Sequence, residues 1–491
     1  MPRRGIRGGL LKFIDEQDLD MFYFAILEVL EEVGILMEYR PALEMFRDHG
    51  ADVDFEKKIV KISEGLLKKA LLTAPSRFTL HGKTPEWDVK VDLERVYTIS
   101  GSCALSVLDL DGVHRPATRQ DLIDLTRLLD TLPHLDIMHQ IVVPSDVHEI
   151  GYPLINFSTC FSHSTRNYYS QAHSAESVRD QIKMAAVYQG SEEEACRKPM
   201  FTEVVCMVSP LKHEKTGSEV LMESAKWGIP IYVEVDAMCG STTPAPIAGT
   251  LVEQAANVLA GVVLAQLVNP GVPCIFAIAS GIMDMRTGAY AGSAPESNLI
   301  HAATAQIAHY FGLPYQGGTG IEAKVPDAQA GYERALHVLT NILAGTNFVH
   351  LIYGMMEQML LASYEQCLID EEIIGAAIRI AKGFDVTDYT LSVDLLSRVG
   401  PLGKHFLTQK ETREFYRQDR WEPTLTDRST WDTWERAGAK SMRQRANDLA
   451  RKILAEERPM PVTKEQAEEI ERIAQDGVKR AIERVKKREE G

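Results

Sequence analysis

The sequence has few aromatic residues, no low-complexity tract and no long uninterrupted apolar run. Aromatic residues make up 7% of the chain, apolar residues 45% and charged residues 25%, a composition typical of a soluble globular protein. The longest apolar run, at 255–268, is too short to span a bilayer and is interrupted by Asn257 and Gln266. We therefore expect no contact with the membrane interior.

Paired cysteines are also missing. The seven cysteines are an odd number, are spread widely and form no CxxC spacing, so they are predicted to be reduced side chains of a cytoplasmic protein. Asp15, Glu16 and Asp18 follow the first basic residues before any apolar segment begins. That order argues against a signal peptide and supports the same cytoplasmic location.

An excess of basic residues and several catalytic motifs are absent as well. The formal net charge of -16 argues against nucleic acid or an anionic membrane as the main partner. The chain has no zinc-type cysteine arrangement, no GxSxG nucleophile elbow and no GxxxxGK[ST] phosphate loop. These absences predict no metal site and disfavour nucleotide chemistry.

What the sequence does contain is a long alternation of short apolar runs with amphipathic segments. Eight candidate strands lie at 96–101, 135–143, 167–172, 201–209, 230–238, 273–280, 314–318 and 348–354. Helical patterns separate nearly every pair, for example at 119–132, 175–188, 215–227, 248–268, 295–311 and 327–344. Eight such βα units predict an α/β fold of the (β/α)8 TIM-barrel type, with a doubly wound open sheet as the alternative.

The segments on either side of the predicted barrel have a different sequence pattern. Residues 1–94 are predicted to form a mainly helical layer packed on the barrel, residues 95–395 the barrel itself, and residues 396–491 a helical extension. The extension carries scattered aromatic residues in a polar context, which suggests docking on the barrel or on a second subunit. We therefore predict a homo-oligomer.

The most conspicuous stretch is YQGGTGIEAKVPDAQAGYE at 315–333. Gly317, Gly318 and Gly320 are expected to allow positive φ or a close approach to a ligand, and Pro326 is expected to open the following helix. In a barrel, the loop after the seventh strand faces the active site. The glycines could equally make only a tight turn.

Few polar or aromatic residues lie near the predicted strand ends, where barrel enzymes place their site. Tyr97 and Tyr353, on the first and last strands, could form one wall of a cage for a quaternary ammonium. His350 lies in the eighth strand and could be a ligand contact or a hydrogen-bonded core histidine. Lys324 could form a Schiff base. These residues alone do not identify a reaction.

Several motifs together resemble the trimethylamine methyltransferase family, which includes corrinoid-dependent methylamine methyltransferases and relatives without pyrrolysine. The motifs run through nearly the whole chain and include SPLKHEKTG, CGSTTPAPIAGTL, AQLVNPGVP, DMRTGAYAGSAPES, ASYEQCLIDEE and GKHFLTQKET, besides the glycine-rich stretch. The resemblance implies a (β/α)8 barrel that transfers a methyl group from an amine to the Co(I) of a corrinoid (cobalamin). The corrinoid is carried by a separate small corrinoid protein, so the chain is expected to hold no tightly bound cofactor of its own.

The family's trimethylamine enzymes use pyrrolysine, whereas all 491 residues here are ordinary ones. A quaternary ammonium already carries a permanent charge and leaves as a neutral amine, so it needs no such activation. The resemblance therefore predicts a quaternary amine as substrate, with glycine betaine first and proline betaine, carnitine or γ-butyrobetaine as alternatives.

For this reaction the expected substrate-binding residues are Tyr97, Gln171, Gly317, Gly318, Gly320, His350 and Tyr353. The tyrosines and His350 are assigned to the ammonium end, whereas Gln171 and the glycine amides are assigned to the carboxylate. No catalytic side chain is predicted. A Lys324-dependent aldolase or lyase and a non-catalytic betaine-binding protein stay open as alternative functions.

Overall fold

The computed structural model describes residues 6–400, 403–418 and 420–489. Eight parallel strands and eight helices alternate through its centre. The strands are β1 (Arg95–Thr98), β2 (Ile137–His139), β3 (Asn167–Gln171), β4 (Phe201–Met207), β5 (Ile231–Val235), β6 (Cys274–Ile278), β7 (Tyr315–Gly317) and β8 (Phe348–Val349). The helices that follow them are α1 (Arg119–Asp130), α2 (Tyr152–His163), α3 (Ala175–Gln189), α4 (Lys215–Trp227), α5 (Ile247–Val268), α6 (Pro295–Tyr310), α7 (Ala328–Ala344) and α8 (Tyr364–Ala381).

The strands close into a barrel. Each strand from β2 to β8 pairs in parallel with the next, and β8 pairs with β1 through Phe348 and Tyr97. A parallel bridge between Ile99 and Ile137 completes the ring, and Ser100 N–H donates to the Ile137 carbonyl at 3.3 Å. The predicted TIM barrel is confirmed, and the open-sheet alternative is wrong because the first and second strands pair.

A hairpin of two strands, Phe78–Leu80 and Val89–Val91, plugs the amino end of the barrel. Its Leu80, Val89 and Val91 form one buried cluster with inward side chains of the barrel strands. Water is thereby excluded from this end, and the loops at the carboxyl ends of the strands form the remaining entrance.

The N-terminal layer contains the short strands that the sequence predicts at 58–62 and 78–81, and further strands that it does not predict, among them Ile35–Met37 and Asp52–Asp54. Its helical segments are Glu16–Glu28, Val29–Val33, Arg40–Asp48 and Glu64–Thr73, and Pro85–Trp87 forms a short turn of 3-10 helix. Strands Ile35–Met37, Asp52–Asp54 and Ile59–Lys61 form a small sheet with Lys212–His213 from the barrel. Ile6–Arg7 pairs antiparallel with the start of β1.

Two small sheets flank the entrance. One consists of Ser106–Leu108, His114–Pro116, Met355–Met356 and Leu361–Ser363, from the loops of the first and eighth units. The other consists of Met238–Cys239, Gly281–Met283 and Tyr290–Ala291, from the fifth and sixth units. These loops shape the opening.

The C-terminal extension is helical. Its segments are Asp388–Leu391, Val393–Val399, Phe406–Thr408, Lys410–Gln418, Trp431–Arg436, Met442–Ala455 and Lys464–Glu489, and a further short helix, Glu192–Arg197, precedes β4. The last helix begins with a capping box, in which Thr463 N–H donates to Gln466 Oε1 at 3.0 Å and Gln466 N–H donates to Thr463 Oγ1 at 3.2 Å. It packs on α2 and α3, and Arg119 of α1 forms an ion pair with its Glu471.

Helix α5 is the only described helix long and apolar enough to cross a membrane by length and composition. Its 22 residues form part of the barrel's outer layer, and 83% of its most apolar window is buried inside the protein. A core helix of a soluble protein has the same properties.

Candidate active site

The site is the carboxyl half of the barrel lumen. Alternate residues of a strand point to opposite faces of a sheet, and the inward side chains of the lower half are apolar or aromatic. Toward the entrance they become polar. The inward polar and ionisable side chains there are His139, Tyr169, Gln171, Cys206, Glu234, Asp236, Gln316 and His350.

Two histidines and a glutamine form a chain on the wall made by β2, β7 and β8. His350 Nε2 lies 2.9 Å from both the Gly101 carbonyl oxygen and His139 Nδ1. Gln316 Nε2 lies 3.2 Å from His350 Nδ1. The contacts fit a neutral His350 that donates from Nε2 and accepts at Nδ1. Burial lowers the pKa of His350 to about 3, so the ring is uncharged at neutral pH.

The opposite wall carries acids. Glu234 and Asp236 lie two residues apart on and just after β5, and therefore on the same face. Tyr169 Oη donates to Glu234 Oε2 at 3.0 Å, and Cys206 Sγ lies 3.5 Å from Glu234 Oε1. The ligand atoms of Cys206, Glu234 and Asp236 all lie within 4.8 Å of one another, close enough for one cation to contact all three.

The surrounding protein raises the pKa values of Glu234 and Asp236. Desolvation, with the nearby Asp236 charge second, raises the pKa of Glu234 to about 8. Desolvation raises the pKa of Asp236 to about 6, against the opposing effect of a hydrogen bond from the Ala279 backbone. Two carboxyl groups this close do not both ionise readily in a site of low polarity. The pair therefore retains a proton near neutral pH.

Solvent reaches the acidic wall. Cys206 and Asp236 are exposed side chains, as is Cys103 in the loop after β1. Desolvation by the surrounding protein nevertheless raises the pKa of both thiols. Groups that are accessible to water and also enclosed by protein line a cavity, and this cavity opens at the entrance.

Helix α7 fixes the glycine-rich loop beside this cavity. Glu333 accepts hydrogen bonds from the N–H groups of Glu322 and Ala323 at 2.9 and 3.1 Å. Arg334, which is fully buried, pairs with Asp370 at 3.1 Å and donates to the carbonyl oxygens of Leu351 and Met355 at 2.9 Å each. One helix thus holds the loops that follow β7 and β8.

The glycines act through packing and not through unusual backbone angles. None of Gly317, Gly318 and Gly320 has positive φ, so this part of the prediction is wrong. A Cβ at Gly318 would lie 1.9 Å from the His350 carbonyl oxygen, and one at Gly317 would lie 2.2 Å from Tyr315 Oη. A Cβ at Gly320 would lie 2.8 Å from Met359 Cγ. Their absent side chains let the loop lie tightly against β8.

The helix after this loop begins later than expected. Pro326 does not open it, because α7 starts at Ala328. Asp327 is the N-cap, and its side chain accepts from the N–H groups of Gln329 and Ala330. The aspartate side chain at the N-cap accepts hydrogen bonds from backbone N–H groups of the first helical turn, which a proline side chain cannot do.

The structure brings together only some of the other predicted residues. His350 lies in the lumen, and Gln171 lies on the same face of β3 as Tyr169, partly exposed near the entrance. Tyr97 lies at the amino end, where its hydroxyl donates to the Lys90 carbonyl at 2.8 Å. Tyr353 lies between strands and helix, with its hydroxyl on Glu371 of α8 at 3.1 Å. The two tyrosines therefore do not form a common wall.

Lys324 is exposed, and its ammonium donates to the Glu322 carbonyl oxygen at 2.6 Å. An exposed lysine lacks the apolar surroundings that activate a Schiff-base amine. The geometry gives no support to a lysine-dependent aldolase.

Sequence reasoning assigned no role to Asp236 and missed His139, Tyr169, Cys206, Glu234 and Gln316. It searched the ends of the predicted strands, whereas these five lie in the interior of the predicted strands. Alternation was the signal available, because Tyr169 precedes Gln171 by two residues and Glu234 precedes Asp236 by two. Both pairs must share a face.

Comparison with known proteins adds to this geometry. Residues 4–479 match the family model described as trimethylamine methyltransferase (MTTB). A glycine betaine methyltransferase of Desulfitobacterium hafniense (strain Y51) is 34% identical over 90% of this chain and 92% of its own length. The trimethylamine methyltransferase MttB of Desulfitobacterium hafniense (strain DSM 10664 / DCB-2) is 34% identical over 95% of this chain and 94% of its own.

Among solved structures, the monomethylamine methyltransferase MtmB of Methanosarcina barkeri is similar in fold. It aligns with a TM-score of 0.52 at 13% identity and covers 90% of this chain and 88% of its own. At that identity the likeness concerns the fold alone.

Proposed function

The chain belongs to the trimethylamine methyltransferase family and is a methyltransferase, and we propose that it moves a methyl group from a quaternary amine to the Co(I) of a corrinoid. The corrinoid is the methyl-accepting substrate and is carried by a separate small protein. Glycine betaine is the favoured methyl donor. Proline betaine, carnitine and γ-butyrobetaine are the related candidates.

The observation that carries this proposal is the character of the lumen. Its ionisable groups include the carboxyl groups of Glu234 and Asp236, its rings are those of tyrosines and neutral histidines, and the described residues include no lysine or arginine that forms an ion pair with either acid. Such surroundings favour a cation. Cation–π contact with a tyrosine ring would add about 0.5–2 kcal/mol.

The chemistry requires little of the protein beyond binding and alignment. The electron pair of Co(I) forms the new bond to the methyl carbon, and the electron pair of the broken C–N bond leaves with the neutral tertiary amine. No proton moves in this step. Alignment of nitrogen, carbon and cobalt can lower the barrier by as much as about 7–11 kcal/mol.

Charge is lost as the cation and the anionic nucleophile react, so exclusion of water favours the transition state. The hairpin that closes the amino end of the barrel excludes water from that end of the lumen. The open entrance, where Leu105, Met285 and Leu360 are exposed apolar side chains, is the proposed approach for the corrinoid. His350, Gln171 and the loop of Gly317, Gly318 and Gly320 are the proposed contacts for the rest of the substrate.

Purified protein mixed with reduced cobalamin or a reduced corrinoid protein tests the proposal. Addition of a quaternary amine should convert the Co(I) absorbance to that of methyl-Co(III), with glycine betaine the most effective of the panel. Failure of every quaternary amine to methylate either acceptor would reject the proposal. The cytoplasmic location and the homo-oligomeric state stay predictions.

A further inference from the structure

Resting on the proposed function, we infer that Glu234 and Asp236 recognise the trialkylammonium end of the substrate. The two carboxyl groups project from one face of β5 and, with Cys206 of β4, lie within 4.8 Å of one another. They form the acidic wall of the cavity. Aromatic rings therefore supplement the recognition of the cation and do not provide most of it.

The structure supplies neutral partners for these acids and no balancing cation. Glu234 has the Tyr169 hydroxyl and the Cys206 thiol. The described residues include no lysine or arginine that pairs with either carboxylate. The ionisable side chains that interact with Glu234 or Asp236 come from neighbouring strands and loops and are thiols and phenols whose raised pKa keeps them neutral: Cys103, Tyr169, Cys206, Tyr232, Tyr290 and Tyr315. His139 and His350 on the far wall are neutral as well, because burial lowers their pKa.

A quaternary ammonium can bind to such a wall without any hydrogen bond. It has no N–H group and no lone pair, so it is held by charge and by surface contact. Two carboxylates at the end of a water-accessible cavity provide the charge. The fully buried rings of Tyr169 and Tyr232, with centroids 4.6 Å apart, pack against each other on the amino-end side of the acids and support that wall.

The same wall would repel the carboxylate of a betaine. That end of the substrate must point away from Glu234 and Asp236, toward Gln171 or toward the loop of Gly318 and Gly320. A substrate without a carboxylate should still bind, because the ammonium end carries the recognition.

Binding should also release a proton. Without substrate the pair retains a proton near neutral pH, whereas a permanent cation favours the doubly ionised form. Because protons compete with the cation, affinity should increase as pH rises from about 6 to about 8, the range in which the two carboxyl groups titrate. Above that range the affinity should level off.

Isothermal titration calorimetry of the full chain, treated with EDTA and without any corrinoid, tests this inference. Tetramethylammonium and glycine betaine would be titrated at pH 7 in two buffers with different ionisation enthalpies. We expect both to bind with release of part of one proton per site. Glu234→Gln and Asp236→Asn should each weaken binding by about 10- to 100-fold and reduce the proton release.

The matched control is Glu203→Gln. Glu203 is a buried acid one strand away whose raised pKa also comes from burial, but it faces the helices and should affect neither affinity nor proton release. Binding without proton release in wild-type protein would overturn the inference, and this measurement needs no variant. Wild-type affinity in both lumen variants would overturn it too. So would the finding that the purified protein holds one zinc ion per site and that removal of this zinc by EDTA abolishes binding of the amine.

Failure of the inference and failure of the proposed function are distinguishable. Methyl transfer that is unaffected by Glu234→Gln and Asp236→Asn would leave the proposed function in place and reject this recognition site. Cation binding with proton release, but no methyl transfer to any reduced corrinoid, would support the recognition site and reject the proposed function.

Discussion

Buried acids occur in two regions of this barrel, the lumen and the layer between strands and helices, and their surroundings differ. In the lumen, Asp236 is exposed to solvent and Glu234 is buried beside it. In the outer layer, Asp370 is fully buried and paired with Arg334, and Glu203 is fully buried with no side-chain partner for either carboxylate oxygen.

The comparison shows that a raised pKa alone does not identify a functional group. Desolvation raises the pKa of Glu203 well above its usual value, as it raises that of Glu234. Only Glu234 combines that shift with a hydroxyl partner and a neighbouring acid, Asp236, that is exposed to solvent. Access to solvent and the proximity of other polar groups therefore distinguish a functional acid from a buried acid that only destabilises the fold.

The largest effect should follow when the outer layer loses its paired charge. Arg334→Met leaves Asp370 buried without its partner and removes the donors that hold the loops after β7 and β8, so it should lower the free energy of unfolding by about 3–5 kcal/mol. Chemical denaturation measures this loss. Arg472→Met, which removes an exposed ion pair with Glu469, is the control and should leave the denaturation midpoint unchanged. Equal midpoints for the two variants would contradict the prediction.

Glu203→Gln should change the pH dependence of stability. The folded protein keeps a proton on Glu203 at pH values where the unfolded chain, with a glutamate pKa of about 4.3, has lost it. Stability therefore falls as pH rises above the unfolded pKa, until Glu203 ionises in the folded protein. The variant lacks this slope, so its advantage over wild type should grow by about 1.4 kcal/mol per pH unit.

Denaturation of both proteins at pH 5, 6 and 7 measures that slope, and the difference between them cancels the other titrating groups. A difference that does not vary with pH would show that Glu203 ionises normally.

The consecutive residues Tyr168 and Tyr169 give the finest comparison, because they occupy opposite faces of β3. Tyr169→Phe removes the hydroxyl on Glu234 and should raise the KM for the amine about tenfold. Tyr168→Phe removes the 2.5 Å hydrogen bond to Gln140 Oε1 and should lower the free energy of unfolding by about 1–3 kcal/mol with KM unchanged. Steady-state kinetics and denaturation of both variants test this, and equal changes in KM would contradict the separation of lumen from outer layer.

The sequence predicted the barrel well because a barrel of this type follows from a regular alternation of strand and helix patterns along the chain. Eight apolar runs separated by amphipathic helices repeat a local pattern, and each observed strand overlaps one of those runs. The N-terminal layer was less predictable, because the strand Ile35–Met37 exists only through pairing with Lys212–His213, far away in the chain.

The candidate site was harder to predict for a physical reason. His350 and Gln171 could be placed from strand position, but whether a tyrosine on a strand faces the lumen depends on register and on neighbouring strands. The Tyr97 side chain faces the lumen at the amino end of the barrel, away from the candidate site, and Tyr353 lies outside the strands. The glycines were noticed for their conformational freedom, whereas their role is close packing against β8.

The most direct test of the central claim is a product balance with the reduced corrinoid acceptor. With glycine betaine, methyl-Co(III) and the demethylated tertiary amine should form in a one-to-one ratio, and trimethylamine in place of the betaine should give neither. Turnover of trimethylamine with no turnover of any quaternary amine would contradict the account.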